Sequence, residues 1–287
     1  MPQDFKTGLI GAPIAHSAAP AMHEAAAHAL GLRLHYELIE IAGASRDTLR
    51  RLLDDVRNGG FAGVNVTYPY KEMIAGLLDE LSPTAAAIGA VNTVVVRDTR
   101  LIGYNTDSTG FARAAADVAA NSRNGSVALI GAGGVGKAIA FALTGLGIAD
   151  LRVFDTDRAK ADHLATLLGQ RCRAVVLDSV EDALREATGL VNATPLGMLP
   201  NRESPVPERL LHRGLWVADA VYHPLWTPLL LAAKATGARV MTGRELAIAQ
   251  AVDAFELFTG VKASSEVMGE AFDRVMGQRG GIEDVWV

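Results

Sequence analysis

The sequence contains one cysteine, Cys172, in 287 residues. That excludes an internal disulfide and any cysteine metal cluster, and it marks Cys172 as a small core residue rather than a nucleophile. Long apolar runs are also missing: no stretch reaches the roughly 20 residues needed to cross a bilayer. The start, MPQDFKTGLIG, lacks the basic residues and apolar run of a signal peptide. Positive charge is not in excess. With 27 Lys and Arg against 32 Asp and Glu, the net charge of −5 leaves no electrostatic footprint for nucleic acid or an anionic membrane. Repeats and low-complexity tracts are absent as well. What remains is 49% hydrophobic and 21% charged, the profile of a globular protein long enough for two domains and expected in the cytoplasm.

Short apolar, β-rich runs alternate with longer helical patterns, which predicts an α/β fold. Early strands are expected over 7–10, 36–41 and 63–66, with a hairpin of 93–97 and 101–105. Helices are expected over 20–29, 46–57 and 71–78. A connecting helix over 106–120 leads to the polar break Asn121-Ser122-Arg123-Asn124-Gly125, which reads as the domain boundary. A second series of strands follows at 127–130, 151–154, 174–177, 190–193, 216–220 and 239–241. Runs so spaced suit a parallel, doubly wound sheet covered by helices on both faces. The last helices, 244–258 and 265–276, pack on either domain as far as their pattern goes.

The strand at 127–130 runs directly into Gly131-Ala132-Gly133-Gly134-Val135-Gly136 and then into a helix over 137–146. Glycines there allow a tight turn and bring backbone N–H groups close to a pyrophosphate at the helix N-terminus. A lone glycine motif is weak evidence, but strand, loop and helix occur in the required order. The next strand ends at Asp155, 24 positions after Gly131. A carboxylate there accepts hydrogen bonds from ribose hydroxyls and repels a 2′-phosphate, so NAD is expected over NADP. Asp155 as a mere helix cap is the competing reading, and Asp157 can fill that role. Arg158 is the residue that would receive a 2′-phosphate.

Reduction of a ketone by a nicotinamide needs a group that gives and takes a proton. In Asn65-Val66-Thr67-Tyr68-Pro69-Tyr70-Lys71, a strand leaves through a proline turn and puts Lys71 at the C-terminal edge of the sheet. Gly103-Tyr104-Asn105-Thr106-Asp107 ends another strand in the same way. Each is ambiguous alone, since lysines are usually solvated and aspartates often cap helices.

Read together, GAPIAHS with PAMHE, NVTYPYK, IGAVNT, GYNTDSTGF, GAGGVGKA, NATPLGM, YHPLWTPLL and QAVDAFELFTG resemble the shikimate/quinate dehydrogenase family over almost the whole chain. The resemblance implies a substrate domain of residues 1–108, completed by C-terminal helices 244–287, and a Rossmann-type NAD domain of 109–243. It implies Lys71 and Asp107 as the catalytic pair, the lysine shuttling the proton and the aspartate orienting it. Thr67, Asn92 and Gln250 would bind the ring hydroxyls, and Ser17 with Tyr222 the carboxylate. Gly131, Ala132, Gly133, Gly134, Val135, Gly136, Asp155 and Arg158 would line the cofactor, with Thr194, Gly243 and Val221 toward its nicotinamide end.

Three departures from the biosynthetic pattern lean toward the NAD-using branch. A second serine near the start is replaced by Ala19, and loss of that donor to a carboxylate costs roughly 1.5–3 kcal/mol if nothing replaces it. Asp155-Thr156-Asp157-Arg158 stands where biosynthetic members have an Asn-Arg-Thr run. The lysine follows Tyr-Pro-Tyr. The implied activity is NAD-dependent oxidation of the 3-hydroxyl of quinate and/or shikimate. Alternatives are an NADPH-dependent biosynthetic shikimate dehydrogenase, a dehydrogenase of a related acid such as aminoshikimate, and a sensing module without turnover. The partner is a small ring hydroxy acid, and the chain is a monomer or homodimer. His16, His23, His28 and His35 have poor spacing for a metal, so none is expected. Trp216, Trp226 and Trp286 read as packing or surface residues.

Overall fold

Alternating strands and helices build a separate six-stranded sheet in each half of the chain. The computed structural model describes residues 4–122 and 125–279. Its first unit comprises the residues up to Thr106 together with 248–279, and its second runs from 107 to 247.

The first unit is built from β1 (Asp4–Gly11), α1 (Ala19–Ala29), β2 (Arg33–Glu40), α2 (Arg46–Asn58), β3 (Gly63–Val66), α3 (Lys71–Ala75), β4 (Glu80–Leu81), α4 (Pro83–Ile88), β5 (Thr93–Arg97) and β6 (Arg100–Tyr104). The strand order is β2-β1-β3-β5-β6-β4. β1 is parallel to β2 and β3, whereas β5 is antiparallel to both β3 and β6. Because β5 runs backwards, its first residue lies on the same edge as the ends of β1, β3 and β6. Thr93 accordingly stands opposite Asn65 on one side and Tyr104 on the other. The Ser45 side chain caps α2 by accepting from the Thr48 N–H at 3.1 Å. The helix then buries Leu49, Leu53 and Val56 against Ile10, Val64, Val66, Tyr70 and Ile74.

The helix expected over 71–78 stops at Ala75, where Gly76 follows, and β4 and α4 occupy a stretch with no expected element. The signal for α4 is nonetheless in the sequence. Ser82 accepts from the Ala85 N–H at 3.2 Å and Pro83 opens the helix. The β5–β6 turn is Asp98-Thr99 with φ of 48° and 65°, a pair of left-handed residues that this hairpin geometry demands and that Asn-Gly more commonly supplies.

The second unit contains α5 (Thr106–Ala119), β7 (Ser126–Ile130), α6 (Gly134–Gly145), β8 (Asp150–Phe154), α7 (Arg158–Leu168), β9 (Arg173–Val176), α8 (Val180–Leu184), β10 (Ala187–Asn192), β11 (Trp216–Asp219), α9 (Pro228–Ala235) and β12 (Arg239–Met241). All neighbouring strands are parallel in the order β12-β11-β10-β7-β8-β9. This is a doubly wound sheet whose order reverses between β7 and β10, and ligands of such folds bind beyond the strand ends at that point.

The units change at 106/107, not at the polar break of 121–125, of which Arg123 and Asn124 lie outside the described residues. α5 belongs with the second sheet because Arg239 donates to the Asp117 and Val118 carbonyls, and Trp216 Nε1 donates to Ser122 Oγ at 2.7 Å. Of the final helices, α10 (Gly243–Thr259) and α11 (Ser265–Arg279), the part from Ile248 onward joins the first unit. There Ala254 and Phe258 pack on Val95, and Arg97 donates to the Leu257 carbonyl at 2.6 Å. Trp226 is partly exposed beneath Lys234, whose Nζ lies 4.4 Å from the ring centre, and Trp286 is outside the described residues. Cys172 is half-buried rather than in the core, and burial, with the Asp150 charge nearby, pushes its thiol pKa up. His23 is buried among the rings of Tyr36, Phe255 and Phe258, and desolvation lowers its pKa to about 3. Among the described residues no helix is long and apolar enough to cross a membrane.

Candidate active site

In the second unit, β7 ends in the glycine loop at the switch point. Gly131 has φ of +101°, and a Cβ on it would stand 2.9 Å from the Ala193 carbonyl carbon and 3.0 Å from Thr194 Cγ2. Only glycine permits both the turn and the approach, and the approach brings Thr194 against the loop. Helix α6 starts after Gly133, which supplies no side-chain cap, whereas α7, α8 and α9 are capped by Asp157, Ser179 and Thr227. A Cβ on Gly133 would meet nothing within 4 Å. The first N–H groups of α6 are therefore left for an anion, and the loop fits the pyrophosphate of a dinucleotide.

Asp155 follows β8, and its carboxylate accepts from the Ala132 N–H at 2.7 Å and from the Asp157 N–H at 2.8 Å. It is thus tied to the glycine loop, with lone pairs remaining for ribose hydroxyls. Capping of α7 falls to Asp157, which accepts from the Ala159 N–H at 3.1 Å. Arg158 donates through Nε to Asp162 at 3.0 Å and through Nη1 to Asp178. The hydrogen bond to Asp162, with Asp178 adding its charge, raises the already high pKa of this guanidinium.

Asn192, at the end of β10, has all four hydrogen-bonding positions of its amide in use. Oδ1 accepts from the Thr194 N–H at 3.0 Å and hydroxyl at 2.7 Å, while Nδ2 donates to the Leu196 carbonyl at 3.2 Å and to Asp219 at 2.9 Å. Asp219 also accepts from the Val221 N–H at 2.9 Å and the Thr227 hydroxyl at 2.7 Å. The loops after β10 and β11 are fastened together through this pair. A Cβ on Gly243 would lie 2.4 Å from the Val221 carbonyl oxygen, so α10 begins directly against Val221. Tyr222 lies in the loop between β11 and α9.

Burial pushes the Asp219 carboxyl up to about 6, against the pull of hydrogen bonds from Thr227, Val221 and Asn192. Between its ordinary value of 3.8 and about 6, the folded chain holds a proton that the unfolded chain has released. Its stabilising contribution is therefore complete at low pH and is lost as pH rises through about 6, amounting to about 3 kcal/mol by pH 7. Asp219→Asn is expected to gain stability relative to the parent by up to about that much from pH 4 to 7. Urea unfolding at both ends of the range measures it; a flat difference would mean that Asp219 is not the titrating group.

In the first unit, the edge defined by β1, β3, β5 and β6 gathers Ser17, Thr67, Lys71 and Asn92 at or beyond the strand ends. The lysine segment is pinned along its length. The Thr67 N–H donates to the Ile10 carbonyl at 2.9 Å, the Tyr68 carbonyl accepts from Ala12 at 3.1 Å, and the Lys71 carbonyl accepts from Val91 at 2.8 Å. Tyr70, buried, donates to the Ile41 carbonyl at 2.8 Å and accepts from the Ala44 N–H at 2.9 Å. Lys71 is half-buried at the first residue of α3. Ser17 Oγ accepts from the Ala19 N–H at 3.1 Å, which leaves its proton free to donate. Asn92 accepts through Oδ1 from the Thr106 N–H at 2.6 Å, and Nδ2 donates to Thr106 Oγ1 at 2.9 Å. Thr106 Oγ1 in turn reaches Gln250 Oε1 at 3.5 Å, which links α10 to this edge. Asp107 is the second residue of α5 and buried.

Asn65, Thr93, Asn192 and Asp219 were not singled out from the sequence. Their only signal there is a polar residue inside or at the end of an otherwise apolar strand, where burial demands partners.

The glycine loop, its uncapped helix and the adjacent acidic residue define the dinucleotide-binding class. Residues 9–94 match the family model of the shikimate dehydrogenase substrate binding domain, and residues 113–197 match that of shikimate/quinate 5-dehydrogenase. A shikimate dehydrogenase (NADP(+)) of Streptomyces avermitilis is 44% identical over 92% of this chain and 94% of its own. A quinate/shikimate dehydrogenase (NAD(+)) of Corynebacterium efficiens is 43% identical over 92% and 96%. The solved quinate dehydrogenase from Corynebacterium glutamicum in complex with NAD superposes with a TM-score of 0.87 at 41% identity, covering 94% of this chain and 99% of that one. The chain belongs to the shikimate/quinate dehydrogenase family, oxidoreductases acting on CH–OH groups with a nicotinamide dinucleotide as cofactor.

Proposed function

We propose that this chain oxidises the 3-hydroxyl of quinate and/or shikimate to the 3-keto acid, with NAD in preference to NADP. The observation that carries the cofactor preference is the pair Asp155 and Arg158. Asp155 presents a carboxylate beside the glycine loop, while Arg158 is already engaged by Asp162 and Asp178. A 2′-phosphate would meet the carboxylate without a free guanidinium to receive it.

Lys71 takes the proton of the 3-hydroxyl as the hydride leaves the same carbon, so the C–O single bond becomes a carbonyl. Asp107 hydrogen-bonds the substrate and orients the lysine. Thr67, Asn92 and Gln250 hold the ring hydroxyls, and Ser17 with Tyr222 holds the carboxylate. A bound nicotinamide dinucleotide would supply the hydride acceptor; Thr194, Val221 and Gly243 would hold it toward its nicotinamide end and Gly131–Gly136 at its pyrophosphate. Ala19 offers no hydroxyl, so the carboxylate is gripped at this turn through the single proton that Ser17 presents.

The competing reading, an NADPH-dependent biosynthetic enzyme, is favoured by the name of the Streptomyces avermitilis relative. Steady-state rates for quinate, shikimate and aminoshikimate, each with NAD and NADP, decide between them. The expected result is more than tenfold higher kcat/KM with NAD, a difference of about 1.4 kcal/mol or more. A tenfold preference for NADP would overturn the assignment made through Asp155, and absence of turnover with all three acids would overturn the substrate class.

A further inference from the structure

Asn92, the proposed ring-hydroxyl ligand, is held by a buried chain of hydrogen bonds whose donors and acceptors are fixed at both ends. The Asn92 carbonyl can only accept, so the Asn65 atom 3.3 Å from it is the amide nitrogen. Asn65 Oδ1 therefore faces the Tyr36 hydroxyl, which donates to it at 2.8 Å. The second Asn65 amide hydrogen goes to Thr93 Oγ1 at 3.0 Å. Thr93, already an acceptor there, sends its own hydrogen to Asn92 Oδ1 at 3.1 Å. The Thr106 N–H can only donate, and its 2.6 Å contact independently identifies the same Asn92 atom as the oxygen. Thr93 is wholly buried, and its hydroxyl links the two side-chain amides while also lying 3.2 Å from Thr106 Oγ1.

We infer that Thr93 is a positioning residue for substrate recognition: its hydroxyl fixes the amide plane of Asn92, so that one Nδ2 hydrogen goes to Thr106 and the other is aimed at the ring acid. The inference rests on the proposed role of Asn92. Without the hydroxyl, Asn92 keeps its contacts to Thr106 but loses the third point that defines its plane, and the donor is presented over a wider range of angles. Thr93 makes no claim on the cofactor loop, which lies in the other unit.

The test is Thr93→Val, nearly isosteric, beside Thr93→Ser, which keeps the hydroxyl, in the full-length enzyme. The valine variant is expected to raise KM for the ring acid about five- to thirtyfold, with kcat and KM for NAD changed by less than about threefold, and serine to restore most of the loss. Equal loss in both variants, or a matching change in the NAD KM, would overturn the inference, because packing alone then accounts for it. Asn92→Ala separates the two levels of the argument. If it leaves the ring-acid KM unchanged, the reading of Asn92 fails. If it raises that KM and Thr93→Val does not, only the inference fails. In the Asn92→Ala background, Thr93→Val is expected to add no further loss; an additive loss would also overturn the inference.

Discussion

Replacing Lys71 with alanine is expected to lower kcat by about two to four orders of magnitude, the usual worth of a positioned proton-transfer group, with NAD affinity changed by less than about threefold. The backbone around Lys71 is held by hydrogen bonds from Thr67 to Ile10, Ala12 to Tyr68 and Val91 to Lys71, and by the Tyr70 hydroxyl between Ile41 and Ala44. None of these uses the lysine side chain, so truncation removes the amine and leaves its platform in place. The cofactor loop lies in the other unit and does not depend on this segment. Rates under saturating substrate and a fluorescence titration with NAD measure the two effects. Retention of more than a tenth of the parent rate would exclude Lys71 as the proton-transfer group. Full retention of ligand response without turnover in either protein would instead support a sensing module.

The second large effect is expected at Asp155. Asp155→Ala should raise KM for NAD by about 10- to 100-fold, since hydrogen bonds to a charged group contribute roughly 1.5–3 kcal/mol each. The same change removes the repulsion of a 2′-phosphate, so the ratio of kcat/KM for NAD to that for NADP should fall by a similar factor. The gain with NADP itself is expected to stay small in the single variant, because Arg158 remains bound to Asp162 and Asp178. Adding Asp178→Ala releases part of the guanidinium, and NADP use should then rise further. An unchanged cofactor ratio in both proteins would show that selectivity is set elsewhere.

The parts of the molecule legible in the sequence are those where one physical signal dominates. The strands at 127–130 and 239–241 are short apolar runs flanked by turn residues, and each sits within a residue of β7 or β12. The glycine loop was readable because a strand, a turn requiring Gly131 and a helix occur in a fixed order. The shared edge of β1, β3, β5 and β6 was not readable, since nothing in the local pattern shows that the far side of the β5–β6 hairpin pairs with β3. The hairpin expected over 93–97 and 101–105 forms as β5 and β6, although neither residue of its Asp98-Thr99 turn announces a left-handed conformation as glycine does. The helix after Lys71 was overestimated because apolar spacing continued past Gly76. The Asn65–Thr93–Asn92 chain lay beyond any pattern: Asn65 is 27 positions from Asn92, and only pairing of β3 with β5 brings it beside the consecutive pair Asn92 and Thr93.

The clamp on Arg158 has an evolutionary consequence. It is made of solvent-exposed ion pairs, which contribute little to stability and are weakened by salt. Little stability is lost when such a clamp opens or forms, so on the proposed reading of Asp155 and Arg158 a lineage would cross between the two cofactors through a few surface substitutions, with its packed interior untouched. Relatives named for NAD(+) and for NADP(+) at nearly equal distance from this chain are the pattern that so low a threshold would leave.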